Sequence, residues 1–384
     1  MNRVYPRAHG GDVFYASKAT GVPVNGIIDF SASINPLGPS PEAMTAAREA
    51  LRMVRHYPEP GAERLAEEIA GTLGISSVQV IPGKGSTELI YLLARAVKPR
   101  TVLVHNPTFS EYERAARLSG GKVKAVAGQK QKLSFDFARF AGAMRGADMA
   151  FLCNPNNPTG EVLEREAVLE LAREAKKTRC LLVIDEAFID FCPGRSVIEE
   201  AARGRNRYLV ALRSMTKFHA LTGLRVGYGV LGSAGLAARM LEFKEPWSVN
   251  LPAAEAAMRA LKDSEHAQKS LMFMENERAY VSGRLERSGI WRCGPKGADC
   301  RSGPNFFLVG LPGARRFTEA LFRKGVLVRD CTNFKGINLY KGGIGRYAAA
   351  RREGDGLIRF AVRRRRENRM LLDEMDRWMR QGRL

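Results

Sequence analysis

Through the first two-thirds of the chain, short apolar runs alternate with stretches whose apolar positions recur at helical spacing. The runs at 78–82, 101–105, 122–126, 149–154, 181–185, 208–212 and 226–231 predict strands. The segments 63–73, 88–96, 110–118, 165–177 and 234–243 predict helices. Such alternation predicts an α/β domain around a mostly parallel seven-stranded sheet. In sheets of this kind ligands gather at the carboxyl ends of the strands. The pattern then changes: strands at 305–311, 326–329 and 357–362 stand among helices at 253–261, 272–287, 315–324 and 366–379. This predicts a smaller α+β C-terminal domain. The expected organisation is an N-terminal arm over 1–41, a large domain over 42–248 and a small domain over 249–384. The arm is expected to pack on the small domain or to reach a partner subunit.

A chain of 384 residues with 45% hydrophobic content can bury a sizeable core. No apolar run reaches the ~18 residues of a membrane span. Met1 to Gly11 contain no apolar signal region, so a cytoplasmic protein is expected. The six cysteines form no CxxC pair, and no Cys/His cluster has metal-ligand spacing. No metal is expected, and Cys153 and Cys180 read as buried thiols. The net charge of +21 admits anionic small molecules as partners. The densest run, Arg363 to Arg366, opens an amphipathic helix and reads as a solvated face. No nucleic-acid-binding signature accompanies it.

Candidate chemistry concentrates in four segments. Asn157 stands in Asn154-Pro155-Asn156-Asn157-Pro158-Thr159-Gly160, and Asp185 closes the apolar run Leu181 to Ile184. Lys217 stands in Ser214-Met215-Thr216-Lys217, and Arg225 follows eight residues later. An amine, an acid, an amide and an arginine in this order suit an aldehyde cofactor with a pyridine ring and a phosphate, pyridoxal 5′-phosphate. Lys217 takes the aldehyde, and Asp185 keeps the ring nitrogen protonated, because an opposite charge favours the charged form. Asn157 donates to the phenolate oxygen, and Arg225 forks onto the phosphate. Gly85, Ser86 and Thr87 end a predicted strand and open a helix, where free backbone amides hold phosphate; Ser214 joins them. Phe109, in Pro107-Thr108-Phe109, is placed to stack on the ring.

These segments together resemble the fold type I pyridoxal-phosphate enzymes of the class I/II aminotransferase superfamily. The resemblance extends over nearly the whole chain. It implies a homodimer in which Tyr57, in His56-Tyr57-Pro58, reaches the partner's cofactor phosphate, and it implies that Arg359 binds a substrate carboxylate. Within that superfamily the chain resembles the L-threonine O-3-phosphate decarboxylases of cobalamin biosynthesis and the histidinol-phosphate aminotransferases. The former look closer, on His9-Gly10-Gly11-Asp12, Ile28 to Gly38, Val328-Arg329-Asp330-Cys331 and Phe188. Phe188 stands where the aminotransferases usually carry a tyrosine. The resemblance implies His9, Asn35, Asn157, Arg329 and Arg359 as substrate donors. The implied product is (R)-1-amino-2-propanol O-2-phosphate, with Lys217 returning the proton. Serine phosphate is an alternative substrate, differing by one methyl. Lys84, His219, Thr222 and a long basic stretch between Arg329 and Arg359 depart from the pattern. Neither nucleic acid nor membrane is an expected partner.

Overall fold

The computed structural model describes residues 9–128, 133–294, 302–337 and 356–381. Its strands are β1 (Ile28–Asp29), β2 (Val80–Gly83), β3 (Thr101–Asn106), β4 (Lys122–Ala127), β5 (Met149–Cys153), β6 (Leu181–Asp185), β7 (Leu209–Ser214), β8 (Gly227–Leu231), β9 (Phe306–Leu311), β10 (Val326–Leu327), β11 (Arg329–Asp330) and β12 (Gly356–Ala361). Seven form one sheet in the order β2-β8-β7-β6-β5-β3-β4. Only β8 runs against its neighbours; the other pairings are parallel. The expected fold class is therefore observed.

Parallel strands buried on both faces need apolar side chains on both. In β6, Leu182 and Ile184 join one core and Leu181 and Val183 the other. Helices Glu63–Leu73, Arg165–Thr178 and Leu251–Lys262 cover the first face with Leu65, Ile69, Leu171 and Ala253. Helices Ser86–Val97, Glu111–Leu118 and Ala234–Phe243 cover the second with Leu89, Leu92, Tyr112 and Met240. With side chains held from above and below, the carboxyl ends of β5, β6 and β7 become a rigid platform.

A third core lies in the C-terminal part. Strands β9, β12 and β11 form an antiparallel sheet on which helices Ser264–Arg287 and Arg365–Gln381 pack through Met274, Leu285, Leu371 and Met375. The N-terminal arm joins this core: Phe30 is buried in it, and β1 pairs in parallel with β10. The single strand expected over 326–329 is two. Leu327 O accepts from Phe30 N of the arm at 2.8 Å, and Cys331 N then donates to Leu357 O at 2.9 Å. The backbone changes partner between them, which apolar periodicity does not report. Helices Val13–Thr20, Pro41–Ala50 and Phe137–Met144 were not expected.

Of the arginine run, Arg364, Arg365 and Arg366 are exposed, as expected of a solvated face, and Arg363 is half-buried. Arg365 Nε donates to the buried Glu277 at 3.0 Å, and Arg363 pairs with Glu367 at 2.7 Å. Arg364 reaches Pro36 O of the arm at 3.3 Å. The basic stretch at 338–355 lies outside the described residues. Among the described residues, no helix is long and apolar enough to cross a membrane.

Candidate active site

A cavity of about 340 Å³ opens where the platform meets the arm and the antiparallel sheet. Lys217, Asp185, Asn157, Phe109, Ser86, Thr87, Ser214, Arg225, His9, Arg329 and Arg359 all line it, brought from segments far apart in the chain. Strand register sets the floor. Asp185 ends β6 beside Cys153 on one side and Leu212 on the other. Lys217 lies three residues past the end of β7, in the excursion before β8.

Asp185 is 3% exposed and accepts from Tyr112 Oη at 2.7 Å and Ala187 N at 3.1 Å. Burial pushes its carboxyl up to about 6 despite those donors. A buried carboxylate of this kind is stabilised by a cation placed beside it. Burial, then Arg359 and Arg225, pull the Lys217 ammonium down to about 8, against the attraction of Asp185. Among the described residues Lys217 Nζ has no hydrogen-bond or ion-pair partner; it stands 5.8 Å from the Phe188 ring centre. An amine so placed is readily deprotonated and open to a carbonyl.

At one end of the cavity, helix Ser86–Val97 begins at Gly85 with no side-chain cap. Its first amides are thus left for an anion. Gly85 has φ +90°, and a Cβ there would stand 2.9 Å from Arg225 Nη2. The absent side chain is what admits the guanidinium to the helix end. Arg225 itself takes a left-handed φ of 63°. That conformation is costly for arginine and marks a position fixed by its surroundings. Gly227 permits the close crossing of β8: a Cβ there would lie 2.6 Å from Arg213 O and 2.8 Å from Ser86 N. Ser214 Oγ lies 2.7 Å from Thr216 Oγ1 nearby.

The antiparallel sheet contributes two guanidinium groups to the cavity lining. Arg329 and Arg359 are register partners of β11 and β12, so they share one face. Arg359 is 7% exposed; its Nη2 donates to Ser31 O at 2.7 Å and its Nη1 to Asn157 Oδ1. Its buried Nε has no partner among the described residues. Burial pulls Arg359 down to about 10 and also lowers Arg329, whose Nη2 donates to Asn333 at 2.8 Å. Because Asn157 accepts from Arg359 through Oδ1, its Nδ2 remains the donor. His9 Nε2 meets Glu111 Oε1 at 3.0 Å, and the His9 ring lies 5.6 Å from that of Phe109.

Four expectations are corrected or refined. Asn35 is not a substrate donor. Its Nδ2 is spent on Phe218 O at 2.9 Å and Ser270 Oγ at 2.8 Å, its Oδ1 accepts from Leu37 N, and it does not line the cavity. Its backbone N donates to Lys217 O at 3.0 Å, so Asn35 braces the lysine segment from behind. Lys84 turns away from the cavity to Glu245, 2.8 Å distant, which removes its conflict with a phosphate site. Gly85 acts through its missing side chain and is not among the lining residues. Tyr57 is 83% exposed, packs on Trp247 at 5.0 Å and does not line this chain's cavity.

Sequence reasoning missed Tyr112 and Glu111. Both sit in the first turn of helix Glu111–Leu118, next to Phe109. The signal was an aromatic and an acid following the Pro-Thr-Phe segment, but an acid there also reads as an ordinary partner of the helix dipole.

The residues fit pyridoxal phosphate. Among the described residues, an amine without a partner shares the cavity with a buried acid, an uncapped helix end lies beside an arginine at a glycine, and a buried arginine keeps an unsatisfied donor. The profile of the family "Aminotransferase class I and II" matches residues 25–352. The chain is similar to the threonine-phosphate decarboxylase of Salmonella typhimurium, at 32% identity over 87% of this chain and 91% of that one. It is similar to the histidinol-phosphate aminotransferase of Symbiobacterium thermophilum at 35% identity, over 87% and 90%. Among solved structures, L-threonine-O-3-phosphate decarboxylase from Porphyromonas gingivalis matches with TM-score 0.76 and 24% identity, over 92% of this chain and 100% of that one. The histidinol-phosphate aminotransferase of Sinorhizobium meliloti, in complex with pyridoxal-5′-phosphate, matches with TM-score 0.80 and 21% identity, over 99% and 98%.

Proposed function

The chain belongs to the aminotransferase class I and II family of pyridoxal-phosphate enzymes, and on that premise we propose that it decarboxylates L-threonine O-3-phosphate to (R)-1-amino-2-propanol O-2-phosphate. The step serves cobalamin biosynthesis. The observation that carries this reading is the register pair Arg329 and Arg359, with His9 also lining the cavity. Three potential anion donors come from segments other than the Ser86 helix end and Arg225, which suit a cofactor phosphate. They match one substrate carrying both a carboxylate and a phosphate. Histidinol phosphate carries only the phosphate, but the keto acid that would accept its amino group carries carboxylates, so the choice between the two reactions rests on the test below.

The bound cofactor supplies an electron-withdrawing ring for the pair left on the substrate's Cα. The residues around it do the rest. Asp185 would hold the proton of the ring nitrogen, Asn157 Nδ2 would serve the phenolate oxygen, and Phe109 would pack on the ring. Ser86, Thr87, Ser214 and Arg225 would hold the cofactor phosphate. Arg359 and Arg329 orient the carboxylate and phosphate of the substrate so that the Cα–carboxylate bond is the one that breaks. Carbon dioxide leaves, the electron pair stays with Cα, and Lys217 Nζ delivers a proton there. Its depressed affinity, to about 8, suits an acid–base group working near neutrality. Phe188 offers no proton at the place where a tyrosine hydroxyl would. The protein acts as a homodimer in which exposed Tyr57 serves the partner's site.

The test is turnover with added pyridoxal phosphate and L-threonine O-3-phosphate, and no keto acid. Carbon dioxide release over many turnovers, with the phosphorylated amine seen by mass spectrometry, is expected. Lys217→Ala should abolish it, by at least ~10³-fold. Keto-acid-dependent amino transfer from histidinol phosphate, without carbon dioxide, overturns the reading. Light scattering at twice the mass of one chain is expected; a monomer removes the role of Tyr57.

A further inference from the structure

Glu111 takes no part in the chemistry above, yet it is 5% exposed and lines the cavity. An ionised carboxylate can only accept, and this one collects donors from three elements. His9 of the arm comes to Oε1 at 3.0 Å. The Tyr91 hydroxyl, from helix Ser86–Val97, and Arg114 Nη1 at 3.4 Å come to Oε2. Together these contacts, His9 first, hold Glu111 down to about 2, while burial and the carboxylate push Tyr91 up to about 12. Glu111 is thus a fixed negative charge and Tyr91 a fixed donor to it at working pH.

The consequence falls on His9. Its Nε2 faces a carboxylate and so must carry a proton, which fixes the tautomer. Nδ1 has no partner among the described residues. A neutral ring that donates through Nε2 can only accept at Nδ1, so donation to an anion there requires a proton on both ring nitrogens. The Phe109 ring, at 5.6 Å, supports the imidazole from the side. Among the described residues the His9 ring makes no other side-chain hydrogen bond to orient it.

We propose that Glu111, buttressed by Tyr91, is a positioning residue that orients the His9 ring for donation to the substrate's phosphate. The inference rests on the substrate class assigned in the preceding section. Glu111 does not touch substrate; it acts through His9. It therefore governs binding of the anionic end and leaves the bond-breaking step to Lys217 and Asp185.

The experiment is Glu111→Gln, with His9→Asn and the double variant, in the cofactor-loaded protein. For Glu111→Gln, KM for L-threonine O-3-phosphate is expected to rise about 10-fold with kcat within about 2-fold, as for loss of a charge-assisted hydrogen bond in binding. The double variant should be no worse than His9→Asn, because both changes remove one unit. Glu111→Asp should recover part of the loss. Unchanged cofactor absorbance and melting temperature identify intact protein. Effects that multiply in the double variant, or a fall in kcat with KM unmoved, overturn the proposal.

Calorimetric titration of the loaded protein with inorganic phosphate separates this proposal from the decarboxylase reading. If no carbon dioxide is released but phosphate affinity still falls about 10-fold in Glu111→Gln, the decarboxylase reading fails and the role of Glu111 stands. If phosphate affinity is the same in both proteins, the role of Glu111 fails, whatever the reaction.

Discussion

The floor and the outer wall of the cavity are built in opposite ways. The floor comes from neighbouring strand ends of one parallel sheet: Asp185 closes β6, Ser214 closes β7, and Lys217 follows at once. Each is placed by strand register and by apolar side chains packed on both faces. The wall is gathered from the arm, the antiparallel sheet and a loop. Arg359 is tied to Ser31, 328 residues away in sequence, and to Asn157, 202 away. On the proposed reading, the floor would hold the groups that the cofactor needs and the wall the groups that choose among substrates. Generic chemistry would then rest on strand ends of one sheet, and selectivity on contacts between separate pieces of chain.

The sharpest way to break this division is at Arg359. Arg359→Gln removes a buried, doubly engaged guanidinium, and kcat/KM should fall by about 10²–10³-fold, the range for truncating a buried charged hydrogen-bond partner. Arg359→Lys should restore little, because a point charge cannot serve Ser31, Asn157 and a carboxylate together. If Arg359→Gln instead releases the cofactor, seen as loss of its absorbance, the wall and floor are one unit and the comparison fails.

The floor is tested by Asp185→Asn in two states. Loaded with cofactor, turnover should drop by about 100-fold or more as the electron sink weakens. In the cofactor-free protein the sign should reverse. The fold raises the Asp185 carboxyl from 3.8 to about 6, so the folded chain holds that proton more tightly than the unfolded one. The associated stability is present below pH ~4 and is lost as the pH rises through about 6, on the order of 3 kcal/mol in all. Wild-type cofactor-free protein should therefore lose more thermal stability between pH 5 and pH 8 than Asp185→Asn does. Equal losses in calorimetric scans would count against a strained floor.

The smallest effect is expected at Phe188→Tyr. The ring packs edge-on against Phe306 at 5.1 Å and leaves its far edge to the cavity. A hydroxyl there should shift the cofactor's absorbance band while kcat stays within about 3-fold, since one added hydrogen bond is worth about 1 kcal/mol. A switch to amino transfer would make Phe188 a selector of reaction.

The same division explains what was readable in the sequence. Lys217, Asp185, Asn157 and Arg225 stand in short local motifs, and the apolar runs around them disclose the sheet. The wall was readable only where a motif carried it. Asn35 looked like a free donor, but its partners Phe218 and Ser270 lie 183 and 235 residues away, beyond the reach of local pattern. Glu111 looked like an ordinary first-turn acid because its partner His9 lies 102 residues upstream. The break between β10 and β11 was invisible because Val326-Leu327-Val328 reads as one apolar run leading straight into Arg329. Only the arm's pairing at Phe30 separates them.

The pairing of Arg329 with Arg359 bears on how such a chain can change over generations. Two residues locked opposite each other on adjacent strands keep their spacing whatever length of chain connects them. Lengthening that connection costs only about 0.6 kcal/mol per doubling. Residues can be inserted between these arginines without moving either guanidinium, and the basic stretch at 338–355 occupies that interval. The excursion between Ser214 and Gly227, also register partners, has no such licence, because Lys217 and Arg225 lie inside it rather than at its ends. One site therefore contains a hinge point for evolutionary novelty and, a few ångströms away, a segment whose length is held fixed.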